Sequence, residues 1–297
     1  MKKTLIIGTR GSKLALKQTE IVVKQLKPLY PDRELLVKTI KTKGDAFWDR
    51  PLHLVGGKGL FVKEIEDELL NRSIDMAVHS VKDLPAALED GLILGAVLER
   101  EDPRDAFISL THNTLDAVTA RSKIGTSSLR RKAQILRLNS EIQVIPLRGN
   151  VDTRIRKLKT QSLDGIILAY AGVKRMGFLD HIREIIPLDV MVPSAGQGAI
   201  GIEIRNEDEV MDMLKPINDP VSSEEISIER ELLGRIGGGC QIPLGIHAHI
   251  MDQSLILYVS MGDENGRTFV HEKYTYPREQ SALAIEVALE KLKPFII

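Results

Sequence analysis

A single cysteine, Cys240, among 297 residues leaves no partner for an intramolecular disulfide and too few thiolates for a cysteine-rich metal site. Net charge is also missing. Lysine plus arginine number 41 and aspartate plus glutamate 41, so no global field draws the chain to nucleic acid or to an anionic membrane. No apolar run approaches the ~20 residues of a membrane span. Lys2-Lys3 is followed by only Leu5-Ile6-Ile7 before Gly8-Thr9-Arg10, too short a core for a signal peptide. A soluble, cytoplasmic protein is the expectation. The histidines offer one close pair, His247-x-His249, on one strand face, and no metal site is expected. What is plentiful is apolar content, 43%, enough for sizeable cores in about two domains.

Short β-branched runs alternate with amphipathic stretches, the pattern of βα units around a largely parallel sheet. Thr4–Thr9 predicts a buried strand, and Lys13–Leu26 a helix capped by Ser12 with Leu14, Leu16, Ile21, Val22 and Leu26 near one stripe. Leu35–Lys41 follows as a strand. Residues 42–59 hold Gly44, Pro51, Gly56, Gly57 and Gly59 without any period and are expected to form a flexible lid. Helix Leu60–Asn71 and strands Asp75–His79 and Ile93–Leu98 lead to the charged run Glu99–Asp105, read as a crossover between domains. A second set runs through Lys123–Gly125, Leu129–Leu138, Ile142–Pro146, Val151–Lys159, Gly165–Ala169 and a short helix near Val173. It reaches Pro193-Ser194-Ala195-Gly196-Gln197-Gly198, read as the return crossover before strand Ala199–Ile204. Alternation in Ile246–Ile250 and Leu255–Val259, with a final helix Ala282–Leu292, predicts a small antiparallel sheet.

The zero total conceals asymmetry. Residues 121–160 carry 11 basic against 2 acidic residues, while residues 203–231 carry 10 acidic against 3 basic. The acidic stretch is expected to be a solvated helical face. In the basic one, Ser127 or Ser128 should cap the helix at Leu129, which puts Arg130, Arg131 and Lys132 in its first turn. Cations there oppose the helix macrodipole at a cost of roughly 0.3–1 kcal/mol each, so something negative should be bound. Backbone N–H groups, hydroxyls and guanidinium forks together make a receptor for carboxylate or phosphate. Arg148-Gly149-Asn150, with Arg154 one turn on, repeats the arrangement at a second strand-to-helix mouth, where open α/β sheets bind ligands. The tract lacks Phe, Tyr and Trp, hence the stacking platforms of single-strand nucleic-acid binders. Val55-Gly56-Gly57-Lys58-Gly59 resembles a phosphate loop, but the full spacing is missing and Leu60 stands where a magnesium-binding hydroxyl would. Lys58 is left as a cation on the lid.

Cys240 closes Gly237-Gly238-Gly239-Cys240, a bare loop that a bulky group could approach. The nearest histidine in sequence, His247, is seven residues away. The thiol is therefore a site of attachment or catalysis, or structural filler. His79-Ser80-Val81-Lys82-Asp83-Leu84-Pro85 ends a strand, so Asp83 sits at the same kind of mouth as the arginines. It either balances their charge or stabilises a cation formed in a reaction.

These segments, with Gly44-Asp45, Ala77-Val78-His79-Ser80-Val81-Lys82-Asp83-Leu84-Pro85, Gly125-Thr126-Ser127-Ser128-Leu129-Arg130-Arg131, Leu147-Arg148-Gly149-Asn150-Val151, Gly196-Gln197-Gly198 and Gly238-Gly239-Cys240-Gln241-Ile242-Pro243, resemble the porphobilinogen deaminase (hydroxymethylbilane synthase) family along essentially the whole chain. The resemblance implies a transferase of haem biosynthesis. It would condense four porphobilinogen molecules, with release of ammonia, into the linear tetrapyrrole 1-hydroxymethylbilane. It also implies a dipyrromethane cofactor held by thioether to Cys240, with Lys82, Ser80, Asp83, Arg130, Arg131, Thr126 and Ser128 binding it. Arg10, Ser12, Lys58, Arg148, Arg154, Arg175 and Gln197 would bind the substrate, whose rings bring two carboxylates each. Asp83 would be the catalytic aspartate. The implied fold is α/β with three domains. The first two resemble periplasmic binding proteins joined by a double crossover (1–98 plus 198–217, and 103–192), and the third (219–297) is a small α+β domain with an antiparallel sheet that carries the cysteine. The resemblance further implies a monomer that passes its product to uroporphyrinogen-III synthase, with no nucleic-acid or membrane partner. Asp152, Ile155 and Met191-Val192 depart from the usual pattern, and Asp152 sets an acid near the arginines. The competing class is a non-catalytic anion-binding protein of the periplasmic type, which requires neither Cys240 nor a third domain.

Overall fold

The computed structural model describes residues 2–42, 62–206, 208–237, 242–263 and 265–295. Its elements in chain order begin with β1 (Thr4–Arg10), α1 (Lys13–Leu29), β2 (Glu34–Ile40), α2 (Lys63–Leu70), β3 (Met76–Ser80), β4 (Leu92–Val97), β5 (Asp105–Ile108) and β6 (Lys123–Gly125). There follow α3 (Leu129–Leu138), β7 (Gln143–Ile145), α4 (Val151–Thr160), β8 (Gly165–Ala169), α5 (Tyr170–Arg175), β9 (Ile182–Ile185) and β10 (Ile200–Arg205). The chain ends with α6 (Asp208–Leu214), α7 (Pro220–Ile236), β11 (Leu244–Met251), β12 (Ser254–Gly262), β13 (Phe269–Pro277) and α8 (Ser281–Leu292). They fall into two compact units, Met1–Glu101 with Ala199–Glu224, and Asp102–Gly198 with Glu225–Ile297.

The first unit is built on a five-stranded sheet in the order β2-β1-β3-β10-β4. Strands β1, β2 and β3 are parallel, because a helix returns the chain between them, whereas β10 runs antiparallel to both neighbours. The period-2 alternation of β1 puts Leu5 and Ile7 on the face covered by Val22 and Leu26 of α1, together with Met76, Val78, Ile202 and Ile204. The opposite face packs Ala77 against Ile65 and Leu69 of α2. Each such buried aliphatic side chain contributes roughly 1.5–3 kcal/mol.

The second unit repeats this layout in its own sheet, ordered β7-β6-β8-β5-β9. Again three strands are parallel and the fourth, β5, is antiparallel to both neighbours. A third, wholly antiparallel sheet β11-β12-β13 belongs to the same unit. Its core joins Ile228 and Leu232 of α7 and Ile285 and Leu289 of α8 to Ile246, Leu257 and Val259.

The α/β class and the small antiparallel sheet agree with the sequence reading. The largely parallel sheet also holds in strand direction, four strands of each five-stranded sheet running one way, with β10 or β5 inserted as the one reversed strand. The acidic stretch departs from expectation. Glu203 on β10 and Glu225 and Glu229 on α7 are buried; backbone amides and imidazoles meet Glu225 and Glu229, whereas Glu203 faces His79 Nε2 at 2.9 Å with neither oxygen hydrogen-bonded among the described residues. The lid expected over 42–59 lies outside the described residues apart from Thr42, which is buried. Among the described residues no helix is long and apolar enough to cross a membrane.

Candidate functional site

In both units the singled-out side chains lie at or just beyond the C-terminal ends of parallel strands. In the first, β1 ends at Arg10 and β3 at Ser80. Ser12 caps α1, its hydroxyl accepting from Ala15 N–H at 3.2 Å. The Ser80 hydroxyl lies within 3.0 Å of both terminal amide atoms of Gln18 on α1. A 3-10 turn, Val81–Asp83, follows, and buried Val81 and Leu84 anchor it on either side of Lys82 and Asp83. Val81 N–H donates to Ala199 O at 3.2 Å, tying the turn to the chain entering β10. Asp83 is thereby held on a fixed base with its carboxylate 39% exposed and 3.8 Å from Arg10 Nη1. That separation exceeds a hydrogen bond, so the carboxylate keeps accepting capacity for a ligand N–H. Under this turn, buried His79 Nε2 lies 2.9 Å from Glu203 Oε2. Burial, with the Glu203 charge nearby, pushes the Glu66 carboxyl above its ordinary range.

In the second unit β6 leads into Thr126 and β7 into Arg148, while β8 leads directly into α5 and Arg175. Ser128 is the cap of α3, accepting from Arg131 N–H at 3.3 Å, and Thr126 Oγ1 accepts from Ser128 N–H. The anion expected beside Arg130 and Arg131 proves to be partly the chain's own. Asp105, fully buried at the start of β5, accepts from Arg130 Nη1 at 2.7 Å and from Arg131 Nη2 and Nε at 2.7 and 3.1 Å. Burial alone would push the Asp105 carboxyl up, but the two guanidiniums outweigh it and hold it well below the usual carboxylate range. Arg130 also bonds Val192 O and Ser194 Oγ, and Arg131 bonds Ile167 O. Nη2 of Arg130 takes part in none of these bonds.

Gly149, at φ +121°, turns the chain from Arg148 into α4 through backbone that an L side chain rarely adopts. Arg154 Nε donates to Gly149 O at 2.6 Å and steadies that turn. Half-buried Arg148 finds no side-chain partner among the described residues. Arg175 Nη2 donates to Gly198 O at 2.6 Å, and Gln197 Nε2 to Pro103 O and Asp105 Oδ1 at 2.7 and 2.9 Å. The structure thus places Arg10, Ser12, Ser80, Lys82 and Asp83 in one unit and Thr126, Ser128, Arg130, Arg131, Arg148, Arg154, Arg175 and Gln197 in the other. Lys58 and Cys240 lie outside the described residues. Sequence reasoning missed Asp105 and Gln18. The first was hidden in a charged run, although its place directly before Ala106-Phe107-Ile108 marks a strand start; nothing local signals the second.

Family models match most of the chain. "Porphobilinogen deaminase, dipyromethane cofactor binding domain" spans residues 5–213, and "Porphobilinogen deaminase, C-terminal domain" spans 223–293. The chain belongs to the porphobilinogen deaminase family. Among curated relatives, a porphobilinogen deaminase of Carboxydothermus hydrogenoformans is 46% identical over 294 residues, covering 98% of this chain and 94% of the relative. One of Roseiflexus sp. is 47% identical over 268 residues, covering 90% and 88%. Solved structures are more distant. A putative methionine-binding lipoprotein of Bacillus subtilis gives a TM-score of 0.44 at 11% identity, over 72% of this chain and 90% of that one. The BenM effector-binding domain with benzoate gives 0.43 at 13%, over 80% and 95%. These likenesses do not favour a non-catalytic anion-binding role. The donor set suits the family's dipyrromethane: the Arg148 guanidinium and Nη2 of Arg130 meet no acceptor among the described residues and match ring carboxylates.

Proposed function

We propose that Cys240 carries the dipyrromethane as a thioether, that the arginines of the second unit hold ring carboxylates, and that Asp83 serves each incoming ring. The reaction is the stepwise head-to-tail condensation of four porphobilinogen molecules, with loss of ammonia at each, into the linear tetrapyrrole 1-hydroxymethylbilane. When bound, the dipyrromethane supplies the nucleophilic pyrrole carbon from which the chain grows. The protein's own part is to bind, orient and balance charge. Arg148 and Arg130 offer guanidinium forks to the acetate and propionate groups, Arg154 and Arg175 flank them, and Thr126 and Ser128 can turn their hydroxyl protons outward. Each charge-assisted bond is worth about 1.5–3 kcal/mol, and together they retain a polyanion that would otherwise diffuse away.

As ammonia departs from porphobilinogen, positive charge spreads to the pyrrole N–H, and Asp83 accepts that N–H as an electrostatic counterpart. Arg10 Nη1 faces the carboxylate from 3.8 Å. Ser12 in the first unit and Gln197 in the second add polar contacts, Lys82 and Ser80 precede Asp83 in sequence, and Lys58 adds a cation. The observation that carries this reading is the state of Asp83: a partly exposed carboxylate at a strand end, anchored by two buried neighbours and, among the described residues, engaged by one long ion pair. We further propose a cytoplasmic monomer whose product passes to uroporphyrinogen-III synthase. A lone cysteine kept as an attachment thiol suits a reducing compartment. Intact-mass measurement tests the core of the proposal: purified protein should be heavier than its chain by a two-pyrrole adduct, and Cys240→Ser should lack it. A fully active protein at bare-chain mass would sink it.

A further inference from the structure

Glu229 on α7 is completely buried yet ionisable, and no step above uses it. Its Oε1 accepts from Ala248 N–H at 2.8 Å and faces His247 Nδ1 at 3.1 Å, both on β11. Its Oε2 accepts from Gly196 N–H at 2.6 Å. Gly196, at φ +74°, opens the turn whose next residue, Gln197, donates to Asp105 Oδ1. Asp105 in turn holds Arg130 and Arg131. A chain of short, mostly buried hydrogen bonds therefore runs from Glu229 through Gly196, Gln197 and Asp105 to both guanidiniums. The helix and strand that Glu229 clamps together are the two elements flanking Cys240 in sequence.

We propose that Glu229 is a positioning residue that sets the Arg130–Arg131 carboxylate receptor, through Gly196, Gln197 and Asp105, in register with the helix–strand pair bracketing Cys240. The inference rests on the reading of Cys240 and the arginines given above. A carboxylate suits this place because it accepts at both oxygens and meets the fixed N–H donors of Ala248 and Gly196; glutamine would turn an NH2 toward one of them, donor against donor. The fold contains its own control. Glu225, one helical turn earlier and also buried, accepts from Ile250 N–H at 2.9 Å and pairs with His249 Nδ1 at 3.2 Å. It clamps α7 to β11 farther along the strand, whereas residues 192–196 approach β11 near Gly245 and Ile246.

The test compares full-length wild type, Glu229→Gln and Glu225→Gln by intact mass, melting temperature, steady-state kinetics on porphobilinogen and hydrogen exchange of residues 193–198. Loss of one charge-assisted bond from the receptor should raise KM about 10-fold in Glu229→Gln, with kcat within about 2-fold because Asp83 is untouched. Exchange at 193–198 should quicken in that variant alone, while Glu225→Gln melts earlier without the KM change. Equal KM effects in the two variants, or an unchanged KM in Glu229→Gln, overturn the inference and leave the reading of Cys240 standing. A wild type without the adduct overturns both. Should Glu229→Gln fail to fold, the Gly196 amide of the wild type decides: slow exchange supports the clamp and rapid exchange refutes it.

Discussion

Replacing Asp105 by asparagine removes one charge and leaves the shape. In the wild type the carboxylate receives four hydrogen bonds, three from guanidinium nitrogens and one from Gln197, in a place with no solvent exposure. Breaking a buried ion pair from one side costs about 3–5 kcal/mol, because the stranded charge cannot reach water. Here Val192 O, Ile167 O and Ser194 Oγ still hold the arginines, and the asparagine carbonyl accepts one bond, so the lower end, about 3 kcal/mol, is expected. For a cooperative unit of this size that is a fall of about 6–12 °C in melting temperature at neutral pH, read by calorimetry. The pH dependence has a definite sign. The folded-state value lies below the ordinary 3.8, so the contribution is complete above that value and fades as pH falls through it toward the depressed one. The gap between wild type and variant should therefore close on acidification. A gap under 2 °C at neutral pH, or one that persists in acid, would refute the role of Asp105 as the shared counter-ion.

Two further substitutions separate chemistry from binding. Asp83→Ala should lower turnover by at least ~10²-fold while melting within about 2 °C of wild type, since the side chain is partly exposed; near-normal turnover in the folded variant would end its catalytic assignment. Arg148→Leu should raise KM for porphobilinogen about 10-fold with little change in stability, because among the described residues the guanidinium has no side-chain partner to strand; a large stability loss at unchanged KM would show a structural role instead.

Where local chemistry fixes an element, the sequence showed it. Helix α3 runs from Leu129 to Leu138 as read, because Ser128 caps it and Asn139 ends it, and β6 and β8 match to the residue. Three strands escaped notice. β13 mixes Val270, Glu272, Tyr274 and Tyr276 on a half-exposed edge, a pattern that tertiary pairing rather than periodicity turns into a strand. β5 is only four residues long and β9 follows a short 3-10 turn, too little for either to show a period. Pro28 lies inside α1 rather than ending it, so the helix outruns its predicted limit at Leu26. For the site, strand-end placement was legible for Asp83, Arg130 and Arg148. The internal counter-ion was not: pairing Asp105 with Arg130 joins residues 25 apart, and charge counting treats both as surface. The buried acids Glu203 and Glu229 failed for the same reason, since only the fold reveals which backbone amides and imidazoles meet them.

Strand β10 lies between β3 and β4, although more than 100 residues separate it in sequence from either. During synthesis the nascent first unit therefore waits, with the edges of β3 and β4 unpaired, until the ribosome has delivered most of the second unit. Such open edges are where chains aggregate, which makes the interval before Ile200 emerges the period when a chaperone has most to protect.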